Sequence, residues 1–348
     1  MIYVGMDVHK RTTTFCALGD EGQLVRRGKV TSGESGWLDI VKHWPPHETR
    51  VAIETGGMTW WVVDVLRSVS IEPVVVDARQ FKMIADSKKK SDRRDARTLA
   101  EALKAGLAEN CSVQIPSERA RRARSLMQTR HHVVKQATAT LNAARSLLRS
   151  VGVSISKYKW RKQAHWEELL DNPAIPIWMK PLLVSYRNVW EALDNERHDL
   201  DAMVVLEQDG WPEAPLLRQI PGYGPVVTLA VLSSLDDPTR FKHSGQVASY
   251  AGLVPSARDS GDSQKRGGIT HQGRSMLRYL MVQAAWAALR NKKLTPDLQK
   301  WTRRLIVKRG AMVAMVALAR RLLILGHRLW KNGEAYNPTY PELNTVRS

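Results

Sequence analysis

The sequence predicts two kinds of structure in one chain: an α/β domain over residues 1–112 and an all-α remainder. Three observations carry that division. Short β-branched segments alternate with amphipathic stretches up to about residue 112; more than thirty residues without glycine or strand pattern follow; the last third is helical apart from one polar loop. A chain of 348 residues also exceeds what one core usually organises.

The first 31 residues read as three strands, IYVGMDV, TTTFCALG and QLVRRGKV, joined by short turns into a meander. Trp37, Leu38, Ile40, Val41 and Trp44 then mark an amphipathic helix ended by Pro45-Pro46. RVAIETG reads as a buried strand, MTWWVVDVLRSV as helix, EPVVVDA as strand and ARQFKMIADS as helix, the alternation that builds parallel βαβ units.

Residues 113–208 form the second region. The segment from Ser117 to Ser150 predicts one long helix with an apolar stripe of Leu126, Val133, Val134, Ala137, Leu141, Ala144 and Leu148. Val184 to Leu206 repeats the pattern through Val189, Leu193, Leu200 and Val204, so an antiparallel helical hairpin or coiled coil is expected. A plain bundle arm without a role in assembly fits the same pattern. Residues 209–340 form the third region, mainly helical, with a conspicuous polar loop from Ser256 to Gly273.

The formal charge of +19, from 53 Lys and Arg against 34 Asp and Glu, favours a polyanionic partner. The basic residues are spread along the chain rather than concentrated on one amphipathic helix, which points to nucleic acid over a membrane surface. Cys16 and Cys111 suit neither a disulfide framework nor a cysteine-ligated zinc site, and read as packing residues in a reducing compartment. No stretch approaches 18 uncharged apolar residues, so the expectation is a cytoplasmic chain with no membrane span.

Four acids carry the chemistry. Asp7 lies near the end of the first strand, and Glu54 ends the strand after the first helix. Parallel neighbours would bring the two together at one sheet end, where ligands gather on open α/β sheets. In KKKSDRRDARTLAEAL, Ser91 can cap a helix, and Asp92 and Asp95 share one helical face that Leu99 and Leu103 continue. Packing those leucines on the sheet would aim both aspartates at Asp7 and Glu54. Two carboxylates ~4 Å apart repel by about 4 kcal/mol at an effective dielectric near 20, so a converging set needs a cation. Oxygen ligands of this kind suit Mg²⁺ or Mn²⁺, ions suited to phosphoryl displacement. Lys88, Lys89, Lys90, Arg93, Arg94 and Arg97 would hold a phosphate backbone over them. Each piece alone is commonplace, a helix cap or a solvated charge run; their order on the right elements gives them force.

In the third region, Pro221-Gly222-Tyr223-Gly224 between two apolar segments resembles the hairpin of helix-hairpin-helix modules. There Gly222 and Gly224 would expose backbone N–H groups to a phosphate, though a Gly-Pro loop joining two helices reads the same way. The polar loop holds Lys265 and Arg266, two cations placed for nucleic acid, and Ser256, Ser260 and Ser263, which the residues alone leave as ordinary loop hydroxyls. His271 reads as a surface or phosphate-contacting residue.

Taken together, GMDVHK, AIETGG, KSDRRDARTLA, IPGYGP, YAGLVP and DSGDS fall in an order that resembles the DEDD insertion-sequence transposases, the family conventionally numbered one hundred and ten, and the related Piv-type DNA invertases. The match spans both ends of the chain and is weakest in the helical middle. The resemblance implies a RuvC-like nuclease domain of ribonuclease H-like fold over 1–112, a coiled coil over 113–208 and a C-terminal transposase domain over 209–340. It implies that Asp7, Glu54, Asp92 and Asp95 bind Mg²⁺ or Mn²⁺ and that Ser260, with Ser263 close enough to compete, attacks DNA to form a covalent linkage. It further implies donor and target DNA as substrates, a noncoding bridge RNA as guide, a homo-oligomer (dimer or tetramer) that combines acids and serine from different subunits, and association with the nucleoid. Two other functions fit parts of the pattern: a junction-resolving nuclease in which water attacks and no serine is needed, and a non-catalytic nucleic-acid-binding protein on a degenerate nuclease fold. The presence of all four acids weighs against the second.

Overall fold

The computed structural model describes residues 1–77, 80–81, 91–156, 163–260, 263–270 and 272–338. The chain divides into two compact units, Met1–Ile115 and Pro116–Ser348.

In the first unit β1 (Ile2–Val8), β2 (Thr12–Leu18) and β3 (Leu24–Thr31) form the expected antiparallel meander. After α1 (Glu34–Val41), β4 (Thr49–Glu54) pairs parallel to β1; after α2 (Thr59–Ser68), β5 (Val74–Val76) pairs parallel to β4. The result is a mixed five-stranded sheet in the order β3-β2-β1-β4-β5. β5 is shorter than its sequence pattern, and its outer edge is covered by the returning chain: Asp77 N–H donates to the Cys111 carbonyl and Val113 N–H to that of Val75. The helix expected over residues 78–87 lies, apart from residues 80 and 81, outside the described residues.

Strand alternation sends successive side chains to opposite faces. Val4, Met6, Val51, Ile53 and Val75 bury one face against Trp37 and Ile40 of α1 and Val62 and Leu66 of α2. The Trp37 indole N–H donates to the Thr13 hydroxyl at 2.9 Å, which satisfies it inside that core. The other face is covered by α3 (Asp92–Lys104): Leu99 and Leu103 meet Ala52 and Val76, while Ala96 and Ala100 meet Cys16 and Leu18. Contact is closest at Gly5, where an added Cβ would stand 2.1 Å from the Ala96 carbonyl oxygen. Only glycine lets helix and sheet backbones approach this far. Both cysteines are buried and free, as expected of packing residues.

The second unit begins with α4 (Glu118–Arg149), whose N-cap Ser117 accepts from Ala120 N–H and donates to Asp236. After α5 (Gln163–Leu170), α6 (Lys180–Glu207) runs back along α4, with Arg122 bonded to Glu207 and Arg130 to Asp201. The antiparallel hairpin is therefore present. Its inward residues on α6 are Leu183, Trp190, Leu200 and Val204, with Leu193 partly buried beside them. Val189, placed on that stripe by the sequence pattern, is 52% exposed. One residue along a helix is a turn of about 100°, and the larger apolar area of Trp190, packed beside Trp166, takes the inward position.

The remaining helices are α7 (Ala214–Leu217), α8 (Pro225–Leu235), α9 (Ser244–Tyr250), α10 (Ser275–Arg290), α11 (Pro296–Arg309) and α12 (Ala311–Asn332). Leu229 to Leu232 of α8 sit in a large core with Leu277, Met281 and Ala284 of α10 and Leu318 and Leu322 of α12. The segment expected as a loop over 256–273 is instead a two-stranded antiparallel ribbon, β6 (Pro255–Ser260) and β7 (Ser263–Ile269). Its strands are mostly polar and carry no apolar alternation; main-chain pairing makes them strands, and that leaves no trace in a hydrophobic pattern. Among the described residues no helix is long and apolar enough to cross a membrane.

Candidate active site

The β1–β4 register pairs Gly5 with Ala52 and Met6 with Ile53, so the next step along both strands sets Asp7 beside Glu54. Ala52 faces α3, and the two-residue period puts Asp7 and Glu54 on that same face. Ala96 of α3 presses on Gly5, which brings the first turn of the helix, with Asp92 and Asp95, to the end of β1. Ser91 occupies the N-cap position with extended backbone, but its side chain accepts no capping hydrogen bond; its carbonyl accepts from Arg94 and Asp95 N–H instead.

One donor atom each from Asp7, His9 and Asp92 lies within 4.8 Å of the others. His9 Nε2 is 3.0 Å from Asp7 Oδ2 and 3.8 Å from Asp92 Oδ1, and Lys29 Nζ is 3.7 Å from Asp92 Oδ2. Asp7 is the most sheltered of these, its side chain 16% exposed against 49% for Asp92. Burial pushes the Asp7 carboxyl above its ordinary range; His9 opposes this, and the charges of Asp92 and Asp95 add to it. Three of the four predicted acids thus feel one another, and Glu54 adjoins them by register. Glu54 and Asp95 are not members of the closest group, which His9 joins. Sequence reasoning passed over His9 and Lys29. The signal for His9 was present: it stands two residues beyond Asp7 along the strand direction, the spacing that keeps a side chain on the same face.

A cleft of about 570 Å³ opens beside Asp92, lined also by Arg27, Lys29, Ser91, Arg93 and Arg97 among others. Of the six predicted phosphate-holding cations, Arg93 and Arg97 line it, and Arg97 also donates to Glu101 at 2.7 Å. Arg94 is exposed on the same helix, and Lys88, Lys89 and Lys90 lie outside the described residues.

In the second unit Ser260 and Ser263 face each other as the last β6–β7 pair, and Lys265 and Arg266 pair with Arg258 and Ala257. His271 lies outside the described residues. Gly222 has φ +89°, and its missing side chain makes room for the α10 backbone, since a Cβ would be 2.3 Å from the Ala284 carbonyl oxygen. The N–H groups of Tyr223 and Gly224 are bonded to the carbonyls of Ile220 and Gly222. Tyr223 is buried and donates to the Leu322 carbonyl at 2.9 Å. Packing inside the unit therefore accounts for Gly222; Gly224 is exposed at the start of α8 with open space around it.

Comparison with known proteins bears on what these residues do. A family described as Transposase, the DEDD group of IS110, matches residues 4–153, and the family described as Transposase IS116/IS110/IS902 matches residues 214–300. The chain belongs to the IS110 family of transposases. Its relatives include the transposase for insertion sequence element IS1111A of Coxiella burnetii, 28% identical over 91% of this chain and 86% of the relative. A probable family 20 transposase of Pseudomonas aeruginosa is 26% identical over 96% and 98%. The pilin gene-inverting protein of Moraxella bovis is 24% identical over 96% and 97%. As an IS110-family transposase the chain is a DNA-cutting and rejoining enzyme. The DEDD match takes in all four acids, and the second match takes in the β6–β7 ribbon with both serines.

Proposed function

We propose that this IS110-family transposase moves or inverts an insertion element by phosphoryl transfer, with Asp7, Glu54, Asp92 and Asp95 as the metal-holding acids and Ser260 as nucleophile. The observation that carries the reading is the convergence of Asp7 and Asp92, with Asp95 close enough to raise Asp7, inside the segment that matches the DEDD family. The donor set fits a divalent ion, because mutually repelling carboxylates, one of them destabilised by burial, gain most from a cation. Mg²⁺ or Mn²⁺ held by these residues would polarise an oxygen of the phosphate whose phosphorus is attacked. With an imidazole nitrogen beside the carboxylates, the set accommodates Mn²⁺ at least as well as Mg²⁺.

In this reading the Ser260 oxygen attacks a DNA phosphorus as its hydroxyl loses a proton, and the bond to the sugar oxygen breaks as that oxygen takes up a proton and leaves as a free hydroxyl. The phosphodiester is conserved as a serine linkage until another sugar hydroxyl displaces the serine and rejoins the strand. The order β3-β2-β1-β4-β5 is that of a ribonuclease H-like, RuvC-like domain, which supports this assignment over 1–112. The helical hairpin of 113–208 would then act as the coiled coil, and 209–340 as the transposase domain. The acids belong to one compact unit and the serine to the other. That arrangement suits a dimer or tetramer whose sites combine acids and serine from different subunits, with donor and target DNA chosen by a noncoding bridge RNA and the protein held at the nucleoid.

The test is a covalent intermediate. After incubation with element-end DNA and Mn²⁺, the protein should stay attached to DNA through denaturation; Ser260→Ala should abolish the adduct and Ser263→Ala should retain it. Cleaved DNA with free ends and no adduct would establish the hydrolytic, junction-resolving reading instead.

A further inference from the structure

The second unit holds a cluster of cations outside the acid site, gathered on the tyrosine that opens the YAGLVP motif. Tyr250, at the end of α9, is met by Arg274, whose Nε donates to its hydroxyl at 2.9 Å, and by Arg240, whose guanidinium carbon lies 4.6 Å from its ring centroid. Arg124 of α4 reaches the same place, its Nε donating to the Ser233 carbonyl at 2.7 Å and its Nη2 to that of Ser234 at 3.2 Å. The Tyr250 hydroxyl donates to the Ser234 carbonyl as well. The carboxylate facing the cluster, Asp236, already accepts from the N–H and hydroxyl of Ser117.

Part of this has a structural explanation. Ser233 and Ser234 lie in the last turn of α8, where backbone carbonyls favour a cation, so Arg124 serves as a C-terminal partner of that helix. Two further guanidiniums on one tyrosine ring exceed that need. Arg124 bears the cost of this crowding: burial and then the Arg274 charge push it down to about 10. Burial alone would raise the Tyr250 phenol, yet Arg274, Arg124 and Arg240 together hold it below its ordinary value. An anion seated here would relieve this.

The cluster stands at the neck of the β6–β7 ribbon. Gly252 and Gly273 cross there with φ of +67° and +85°; a Cβ on Gly252 would be 2.0 Å from the Gln272 carbonyl oxygen, and one on Gly273 2.2 Å from that of Tyr250. Arg278 ties the two roots by donating to the Ala251 carbonyl, and Arg274 N–H donates to the Tyr250 carbonyl. A ligand held by Arg274 and Tyr250 is thus fixed relative to the strand that carries Ser260.

We propose that Arg240 and Arg274, set on Tyr250 and backed by Arg124, form a binding site for a backbone phosphodiester of nucleic acid at the neck of the ribbon. The guanidinium fork suits phosphate oxygens, and the contacts of Arg240 with the Tyr250 ring and of Arg274 with its hydroxyl hold the two side chains in place.

The test uses the full chain, without divalent ions, titrated onto labelled duplex DNA, single-stranded DNA and RNA of equal length over a salt series. Each neutralised phosphate contributes about 0.9 to the slope of log affinity on log salt for duplex and about 0.7 for single strands. Arg274→Ala should lower the slope by about one such increment in at least one arm, which names the backbone bound, and Arg274→Lys should restore most of it. Arg240→Gln, checked for folding by its thermal midpoint, provides the same reading if Arg274→Ala fails to fold. Unchanged slopes in all three arms for folded variants would overturn the proposal. So would a loss seen only in stabilisation by inorganic phosphate, which would make this a free-phosphate site. Because neither cleavage nor metal enters the measurement, its failure is separate from that of the acid-cluster reading.

Discussion

Asp7 and Asp92 are positioned by a packed core, whereas Ser260 and Ser263 stand at the far end of a two-stranded ribbon fixed at its neck. In the first case a helix buries Ala96, Leu99, Ala100 and Leu103 against the sheet, and the acids follow because they share its first turn and the end of β1. In the second, main-chain pairing and two crossing glycines set the geometry. Carboxylates that must share a cation need precise mutual distances, which a close-packed core supplies. The nucleophile role proposed for Ser260 suits a ribbon anchored at its neck, because such a role requires entering and leaving a DNA phosphate.

The contrast can be broken most severely at Gly5. Gly5→Val would drive a side chain into the α3 backbone, an overpacked contact expected to cost about 3 kcal/mol or more, read by denaturant unfolding, with loss of DNA cleavage. Wild-type stability in that variant would mean that α3 does not rest on β1. Next in size is Gly252→Ala at the ribbon neck. Strain at positive φ and the clash with Gln272 should cost about 1–3 kcal/mol, lower the yield of covalent adduct, and leave metal uptake by the first unit intact. Parallel loss of both functions would show that the two mounts are not independent.

The smallest effect concerns pH. Asp7 has a folded-state pKa above its unfolded one, so its contribution to stability is fully present below the ordinary value of 3.8 and is lost as pH rises through the raised value. Asp7→Asn removes that loss. In chelator at pH 7 the variant should therefore melt slightly above the wild type, and saturating Mn²⁺ should reverse the order. A lower melting point for the variant in chelator would contradict the repulsion inferred among the acids.

How far the sequence revealed this depends on which force places each residue. The meander, the parallel strands and the leucine face of α3 were legible because burial writes a period into the residues. Asp7, Asp92 and Asp95 were legible because they sit at fixed offsets on those periodic elements. His9 lies one residue beyond the strand pattern IYVGMDV, so the alternation that marks Asp7 stops short of it. The β6–β7 ribbon was read as a loop because polar strands paired only with each other leave no apolar alternation. Val189 and Trp190 are adjacent apolar residues, and only the packing beside Trp166 decides between them. The three arginines around Tyr250 come from three separate stretches of chain, and no spacing rule joins them.

The central claim, that α3 resting on Gly5 assembles a divalent-ion site from Asp7 and Asp92, is tested most directly by Mn²⁺ binding to the full chain, followed by electron paramagnetic resonance. Saturable uptake is predicted, weakened roughly tenfold or more by Asp7→Asn and by Asp92→Asn and unaltered by Ser260→Ala. No uptake, or uptake indifferent to both aspartate substitutions, would contradict it.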